Sequence, residues 1–227
     1  MKVIGKNEEL ITLNSCLKSS KPEFLVVYGR RRIGKTYIIR DFLKNTVGDE
    51  NFIEFNLYEN DIVKETIDNA KTSKDLLFRL SALSNKPLIK GKTIIFLDDV
   101  QICSNIITAI KFLVEEGSYK YILSWSLLGT ELKNIKSIPV GYLEIFQMYP
   151  LDFEELTLVD DVVHEKLIDM FHLYLIVGGM SSVLKKYLET NNLKDVVLEQ
   201  NNICNLYRED ISKYDSENKL YIKEIFD

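Results

Sequence analysis

A glycine-bearing segment near the amino terminus constrains the fold of this chain more than any other feature. It reads Gly-Arg-Arg-Arg-Ile-Gly-Lys-Thr at 29–36 and matches the spacing G-x-x-x-x-G-K-[ST] of a phosphate-binding loop, the P-loop. Backbone N–H groups of such a loop surround phosphates, its lysine contacts the outer phosphates, and its hydroxyl group ligates Mg²⁺. Because a buried strand precedes this loop and a helix follows it, the motif also predicts the secondary structure around it.

Both neighbours of the loop have the expected pattern. The apolar run at 24–28 is typical of a strand that is buried on both faces of a parallel sheet. The segment 35–44 carries apolar residues at helical spacing. A glycine turn followed by a surface lysine is the alternative interpretation, and this strand–loop–helix context counts against it.

Strand and helix patterns alternate along the first 150 residues. This alternation predicts an α/β fold of the P-loop NTPase type, with a mostly parallel five-stranded sheet flanked by helices. After Pro150 the patterns are helical, which predicts a small C-terminal helical subdomain. We therefore predict an ATPase core at 1–150 and a helical lid subdomain at 151–213. The further predicted strands are 53–57, 93–97, 121–123 and 142–146; the predicted helices include 7–18, a broken pair within 61–83, 102–116, 181–189 and 193–208.

Acidic residues end the apolar strand at 93–97. A P-loop requires a carboxylate at the end of a neighbouring strand to complete the magnesium site, and Asp98 lies at that position. We predict that Thr36 and Asp98 are the metal residues. A single aspartate at a strand end is common in any protein, so this prediction depends on its combination with the P-loop.

Asp99 and the serines after the next strand are candidates for catalysis. ATPases of the additional-strand class usually have a glutamate at the position of Asp99, where it orients the attacking water. Aspartate is shorter by about 1 Å, and a displacement of that size can cost around 100-fold in rate. Ser124 or Ser126 occupies the place of a residue that senses the terminal phosphate, although either could be an ordinary turn serine. A solvated acid at a strand end is the alternative for Asp99, and Trp125 between the serines is more often a core residue.

Composition limits the partners and the location. A formal net charge of −5 argues against a surface that lies along nucleic acid. No apolar stretch approaches the roughly 18 residues of a membrane-spanning helix, so we expect a cytoplasmic protein without membrane association. The three cysteines have neither the spacing of a zinc site nor that of a disulfide framework.

Six segments, taken in order, resemble the prokaryotic AAA-type ATPases often called the archaeal-type ATPase family. The resemblance implies that Ile4 and Gly5 lie near the adenine and that a winged-helix segment begins at 214–227, where this chain ends. Members of that family usually continue into a C-terminal domain related to PD-(D/E)XK nucleases. The segments are 27–36, 96–101, 127–129, 149–155, 174–180 and 207–211.

Four positions depart from the pattern that this resemblance implies. Asp99 replaces a glutamate, Trp125 a small glycine, Tyr142 a basic residue and Ser181 a proline. A bulky indole would crowd the attacking water, and a missing basic residue would remove one source of transition-state stabilisation. Together with the early end of the chain, these departures predict a slow ATPase, a nucleotide-dependent switch or a decaying fragment.

The function predicted from the sequence is ATP binding with Mg²⁺ and slow hydrolysis by an AAA-type ATPase. The alternative is a nucleotide-binding switch or interaction module with little or no hydrolysis. The Asp-Asp-Val-Gln element at 98–101 counts against a third interpretation, a small-molecule kinase. ATP is the predicted ligand; a homo-oligomer or a protein partner is left open, and DNA is implied only through the resemblance. The candidate catalytic residues are Lys35, Asp99 and Ser124, and the candidate nucleotide-binding residues are Ile4, Gly5, Gly29, Arg30, Arg31, Arg32, Ile33, Gly34, Lys35, Thr36 and Tyr37.

Overall fold

The computed structural model describes residues 6–19, 24–103, 105–126, 143–157 and 164–214. These residues form two compact units. The sheet unit contains Asn7–Gly29 and Lys35–Met148, and the helical unit contains Lys6, Arg30–Gly34 and the described residues from Tyr149 onward. The P-loop sequence thus contributes to both units.

The sheet unit is built on five strands in the order β2-β3-β4-β1-β5. Every described pairing is parallel, which confirms the predicted α/β class and the five-stranded sheet. Strands β1, β3 and β4 are almost entirely buried, as expected where both faces of a parallel sheet are covered. In β2, Glu54 and Asn56 are only partly buried. The strands are β1 (Phe24–Gly29), β2 (Phe52–Asn56), β3 (Ile94–Asp98), β4 (Lys120–Ser126) and β5 (Leu143–Gln147).

Helices of the sheet unit follow the predicted positions, with one exception. Thr72 caps the helix α4 (Ser73–Leu83), because its hydroxyl accepts the N–H of Asp75 at 3.2 Å. Gly117 ends α5 in the left-handed region, with φ 70°. The described helices of this unit are α1 (Asn7–Lys18), α2 (Lys35–Thr46), α3 (Asp61–Asp68), α4 (Ser73–Leu83) and α5 (Ile106–Glu116).

The start of α5 was predicted wrongly. The sequence pattern begins the helix at Ile102, but Val100–Ile102 is a 3₁₀ turn and α5 begins at Ile106. Asp68 explains the difference, since its carboxylate accepts the N–H of Asn105 at 2.9 Å and the thiol of Cys103 at 3.1 Å. The Asn105 N–H is thereby bonded to a side chain, whereas in a continuous helix it would bond to a backbone carbonyl one turn earlier.

Four helices make up the described part of the helical unit. Apolar side chains of α6, α7, α8 and α9 form its core, which includes Val177, Val183 and Val196. The last helix continues past the predicted end at Arg208 to Tyr214. Apart from Tyr214, the predicted winged-helix segment at 214–227 lies outside the described residues. The helices are α6 (Phe153–Thr157), α7 (His164–Val177), α8 (Ser181–Thr190) and α9 (Leu193–Tyr214).

Within the described residues, no single helix is both long and apolar enough to cross a membrane. The segments Lys166–Val177 and Ser181–Thr190 reach that content only as a pair, and this pair is bent by 118°.

The three cysteines differ in their predicted reactivity. Cys16 and Cys103 are buried and Cys204 is exposed. Burial, together with the adjacent Asp68 carboxylate, raises the pKa of the Cys103 thiol to about 12. The reactive species is the thiolate, so at pH 8 Cys103 should react with iodoacetamide at least about 100-fold more slowly than Cys204, and its rate should rise as the pH approaches 12. Mass spectrometry of labelled peptides, with urea-unfolded protein as the control, tests this; equal labelling of both cysteines in folded protein would contradict it.

Candidate nucleotide-binding site

The first residues of α2 follow the strand β1 across the short loop at 30–34. Lys35 is only 6% exposed, and its ammonium group donates a hydrogen bond to the carbonyl of Gly29 at 3.0 Å. Thr36 is the next residue of the helix, so both side chains lie at a helix N-terminus, where the helix dipole favours anions. This is the strand–loop–helix arrangement that the sequence motif requires.

Asp98 lies at the end of β3 and is 1% exposed. Its carboxylate oxygen Oδ1 accepts a hydrogen bond from the Thr36 hydroxyl at 2.9 Å and another from the Ser124 hydroxyl. Burial raises the pKa of this carboxyl; the two hydroxyl donors oppose that effect and the charge of Asp99 adds to it. The two side chains predicted for the metal site, those of Thr36 and Asp98, are therefore in direct contact.

Asp99 adopts a left-handed backbone conformation, with φ 57° and ψ 46°. Its N–H donates to the Ser124 hydroxyl at 2.9 Å. Its carboxylate oxygen Oδ1 accepts the Gln101 amide at 3.0 Å and the Ser126 hydroxyl at 3.3 Å. Both candidate serines consequently contact the acidic pair, Ser124 through Asp98 and the backbone of Asp99, and Ser126 through the Asp99 side chain.

Gln101 is a site residue to which the sequence analysis gave no role. In addition to its bond to Asp99, its carbonyl Oε1 accepts the backbone N–H of Ser126 at 3.0 Å. The side chain thus links the turn after β3 to the end of β4. The motif Asp-Asp-Val-Gln contained the residue, but a spacing pattern does not indicate which backbone atoms a glutamine reaches.

Trp125 belongs to the hydrophobic core of the sheet unit and is 3% exposed. Successive side chains of a strand point to opposite faces, so the indole faces away from Ser124 and Ser126. The core interpretation of Trp125 is confirmed, and the expectation that its indole crowds the attacking water is wrong.

The residues in the middle of the P-loop, Arg30–Gly34, have an unusual backbone. Arg32 and Gly34 both have positive φ, 67° and 94° respectively, while the side chain of Ile33 between them is completely buried. A backbone in which left-handed residues alternate with right-handed ones aligns successive N–H groups into an anion-binding concavity. The Arg32 guanidinium also lies 3.9 Å from Glu199.

Other predicted nucleotide contacts have different outcomes. Ile4 and Gly5 lie outside the described residues, as does Tyr142, the position where the resemblance implied a basic residue. Tyr37 is 46% exposed on α2. The neighbouring Lys6 is buried and donates hydrogen bonds to the Tyr149 carbonyl at 2.9 Å and to Glu155 at 3.2 Å, which joins it to the 149–155 segment of the helical unit.

The parallel sheet, the P-loop between β1 and α2, and the acidic pair after β3 define an α/β nucleotide-binding protein of the P-loop class. A family profile described as an AAA domain matches residues 21–157, and the chain belongs to this AAA domain family. It is therefore an AAA-type domain that binds ATP.

Comparisons of sequence find relatives in an archaeon, Methanocaldococcus jannaschii. An uncharacterised protein of that organism is 27% identical over 202 residues, which cover 82% of this chain and 43% of the relative. An uncharacterised ATP-binding protein of the same organism is 40% identical over 42 residues, or 18% of this chain and 71% of the relative. The chain thus spans less than half the length of the first of these relatives.

Comparisons of structure support the same fold. The structure of C. elegans PCH-2 matches 86% of this chain and 68% of its own length, with a TM-score of 0.52 and 10% identity. The Aeropyrum pernix ORC1 protein, solved in complex with DNA, matches 92% of this chain and 69% of its own length, with a TM-score of 0.50 and 14% identity. At these identities the likeness concerns the fold alone.

Proposed function

We propose that this chain is an ATPase that binds ATP with Mg²⁺ through its P-loop and hydrolyses it slowly. The observation that carries the proposal is the hydrogen-bonded cluster around the acidic pair. Thr36 and Ser124 both donate to Asp98, and Ser124 also accepts the N–H of Asp99. Residues of α2 and β4 thereby converge on the Asp98 carboxylate at the end of β3, next to the backbone of Asp99. This arrangement fits metal-assisted phosphate chemistry.

Thr36 and Asp98 fit the needs of a magnesium ion. Mg²⁺ binds oxygen ligands and usually takes one or two carboxylates together with substrate phosphates. The Thr36 hydroxyl and an Asp98 carboxylate oxygen lie 2.9 Å apart, so both would hold the ion. When bound, Mg²⁺ neutralises charge on the phosphates.

Lys35 and Ser124 have distinct proposed roles. The buried ammonium of Lys35 would bind the outer phosphates and offset the negative charge that develops during hydrolysis. Ser124 orients Asp98 and the backbone of Asp99 through its hydroxyl, which couples the two acids at the end of β3. The remaining P-loop residues would contribute backbone N–H groups to the phosphates.

Asp99 is the proposed water-positioning residue, and its surroundings explain why turnover should be slow. It is one methylene shorter than glutamate, and Oδ1 already accepts hydrogen bonds from Gln101 and Ser126. The short side chain of Asp99 and the hydrogen bonds to its Oδ1 also favour a second candidate function. This is a nucleotide-binding switch that hydrolyses ATP little or not at all. The two candidates differ only in whether Asp99 activates water.

The test is phosphate release by Asp99→Asn. General base catalysis contributes roughly 100-fold to 10,000-fold, and the shorter side chain forfeits around 100-fold of this. We therefore expect Asp99→Asn to lower the rate of phosphate release by about tenfold while the affinity for ATP stays within about twofold. A continuous phosphate assay and calorimetric titration of MgATP measure the two quantities.

Asp75→Asn is the matched control, since Asp75 is a surface acid that pairs with Arg79 on the same helix. Its rate should equal that of the wild type. A wild type that binds ATP but releases no phosphate above the background would contradict hydrolysis and support the switch. Equal rates of release for wild type and Asp99→Asn would contradict the role of Asp99.

The domain organisation, the location and the partners of this chain are also proposals. We propose that the chain is the ATPase part of a longer type of protein, with a core at 1–150, a helical lid at 151–213 and the start of a winged-helix segment at 214–227. From the resemblance alone, a nuclease-like domain would follow. We propose a cytoplasmic location and, as a partner, another copy or another protein; the net charge of −5 gives no support to a DNA-binding surface on this part.

A further inference from the structure

Two hydroxyl groups of the helical unit contact the backbone of the P-loop. The hydroxyl of Ser181, the first residue of α8, donates to the carbonyl of Ile33 at 2.8 Å. The hydroxyl of Tyr207, on α9, donates to the carbonyl of Arg31 at 2.9 Å. All four residues belong to the helical unit.

These bonds fix the direction of two peptide planes. A trans peptide is planar, so its carbonyl and the N–H of the next residue point in opposite directions. A donor on the Ile33 carbonyl therefore directs the N–H of Gly34 to the opposite side. The bond from Tyr207 to the Arg31 carbonyl directs the N–H of Arg32 in the same manner.

Each of these two peptides immediately precedes a residue with positive φ. Arg32 has φ 67° and Gly34 has φ 94°. A left-handed conformation is disfavoured for a residue with a Cβ atom such as arginine, and it persists where neighbouring contacts enforce it. Tyr207 provides such a contact at the peptide immediately before Arg32.

The packing around Gly34 provides a second contact with Ser181. A Cβ atom placed on Gly34 would lie 3.3 Å from the Ser181 hydroxyl oxygen and 3.6 Å from its Cβ atom. The first turn of α8 therefore lies directly against this glycine, and its position limits how far the loop can move toward the helix.

We propose that Ser181 and Tyr207 are positioning residues that hold the P-loop in its phosphate-binding conformation. Their hydroxyl groups contact carbonyls, so they orient the N–H groups that bind phosphate without contacting the nucleotide. The inference rests on the proposed role of the P-loop in ATP binding. It adds that α8 and α9 set the affinity for ATP through two hydrogen bonds.

The experiment compares two pairs of matched variants in the full chain. Ser181→Ala removes one bond to the loop, and Ser182→Ala removes a neighbouring buried hydroxyl that has no hydrogen-bond partner among the described residues. Tyr207→Phe removes the other bond, and Tyr174→Phe removes an equivalent bond, at 2.9 Å, to the carbonyl of Leu151. Calorimetric titration of MgATP gives each dissociation constant, and urea unfolding gives the stability of each variant.

We expect Ser181→Ala and Tyr207→Phe each to weaken ATP binding by about threefold to tenfold, the value of one hydrogen bond. Ser182→Ala and Tyr174→Phe should bind ATP within about twofold of the wild type, even where Tyr174→Phe unfolds as easily as Tyr207→Phe. Ser181→Thr, which keeps a hydroxyl donor, should restore most of the affinity.

The variant Lys35→Ala distinguishes a failure of the positioning role of Ser181 and Tyr207 from a failure of the proposed nucleotide site. If wild type binds ATP, Lys35→Ala does not, and Ser181→Ala and Tyr207→Phe bind like wild type, the inference is overturned while the nucleotide site stands. The inference is also overturned if Tyr174→Phe loses as much affinity as Tyr207→Phe, because the effect then reflects general stability. If wild type fails to bind ATP, the proposed site itself is overturned.

Discussion

Lys35→Ala is expected to weaken ATP binding by at least about 100-fold. The Lys35 ammonium is buried and already donates to the Gly29 carbonyl at 3.0 Å, so its position at the start of α2 is set before the nucleotide arrives. Charge-assisted hydrogen bonds contribute roughly 1.5–3 kcal/mol each. The lysine also balances phosphate charge, so a total near 3 kcal/mol, or about 100-fold, is expected.

Lys44→Ala is the matched control, because Lys44 lies in the last turn of the same helix and is exposed. Calorimetric titration with MgATP should give a wild-type dissociation constant for Lys44→Ala. Urea unfolding should give similar stabilities for both variants, which separates a lost contact from a lost fold. Binding by Lys35→Ala within about threefold of the wild type would refute the assignment of this lysine.

The sheet could be predicted from sequence because its strands are locally distinct. Strands β1 and β3 are continuous apolar runs and β2 alternates apolar with polar residues. All five predicted strands were found within a few residues of their predicted bounds. The α5 boundary failed because it depends on Asp68, whose carboxylate contacts residues 35 and 37 positions later in the chain. Hydrophobic periodicity in one segment contains no information about such a partner.

The candidate site was predictable to the extent that it depends on motif spacing. The P-loop and the acids after β3 are short segments with fixed order, and the structure brings Thr36, Asp98 and Ser124 together. The left-handed backbone of Asp99 and the contacts of Gln101 were not predictable. They depend on the backbone dihedrals of a turn and on the register of two neighbouring strands.

The contacts that α8 and α9 make with the P-loop were the least predictable from the sequence. Ser181 and Tyr207 are 148 and 176 positions from the residues that they contact. In the sequence, Ser181 was only a departure from an expected proline. Proline has no side-chain donor, so the substitution gives this chain a hydrogen bond to Ile33 that proline could not make.

Gly178 and Gly179 precede α8, and each position requires glycine for a different physical reason. A Cβ atom on Gly179 would lie 1.8 Å from the carbonyl oxygen of Leu151 and 2.9 Å from its carbon. The same residues are joined by a backbone hydrogen bond, from the Leu151 N–H to the Gly179 carbonyl, at 2.8 Å. A Cβ atom on Gly178 would have no atom of the described residues within 4 Å, apart from its two chain neighbours, and the backbone of this glycine has a φ of 74°.

Gly179→Ala is therefore expected to be far more destabilising than Gly178→Ala. The added methyl group meets backbone atoms that no side-chain rotation can move, so the 149–155 segment must shift and its hydrogen bond to Gly179 is lost. Overpacking costs about 1–3 kcal/mol, and a lost hydrogen bond adds about 1 kcal/mol. We expect Gly179→Ala to lower the free energy of unfolding by about 2–4 kcal/mol, and Gly178→Ala to lower it by only about 1–2 kcal/mol through backbone strain.

Urea unfolding followed by circular dichroism measures both changes. A left-handed conformation penalises any residue with a Cβ atom, whereas a close backbone approach penalises the added volume, so Gly178→Asn should recover stability but Gly179→Ser should not. Equal losses for the two alanine variants would mean that the backbone around Leu151 yields easily. The pairing of the 149–155 segment with the start of α8 would then be looser than the 2.8 Å hydrogen bond indicates.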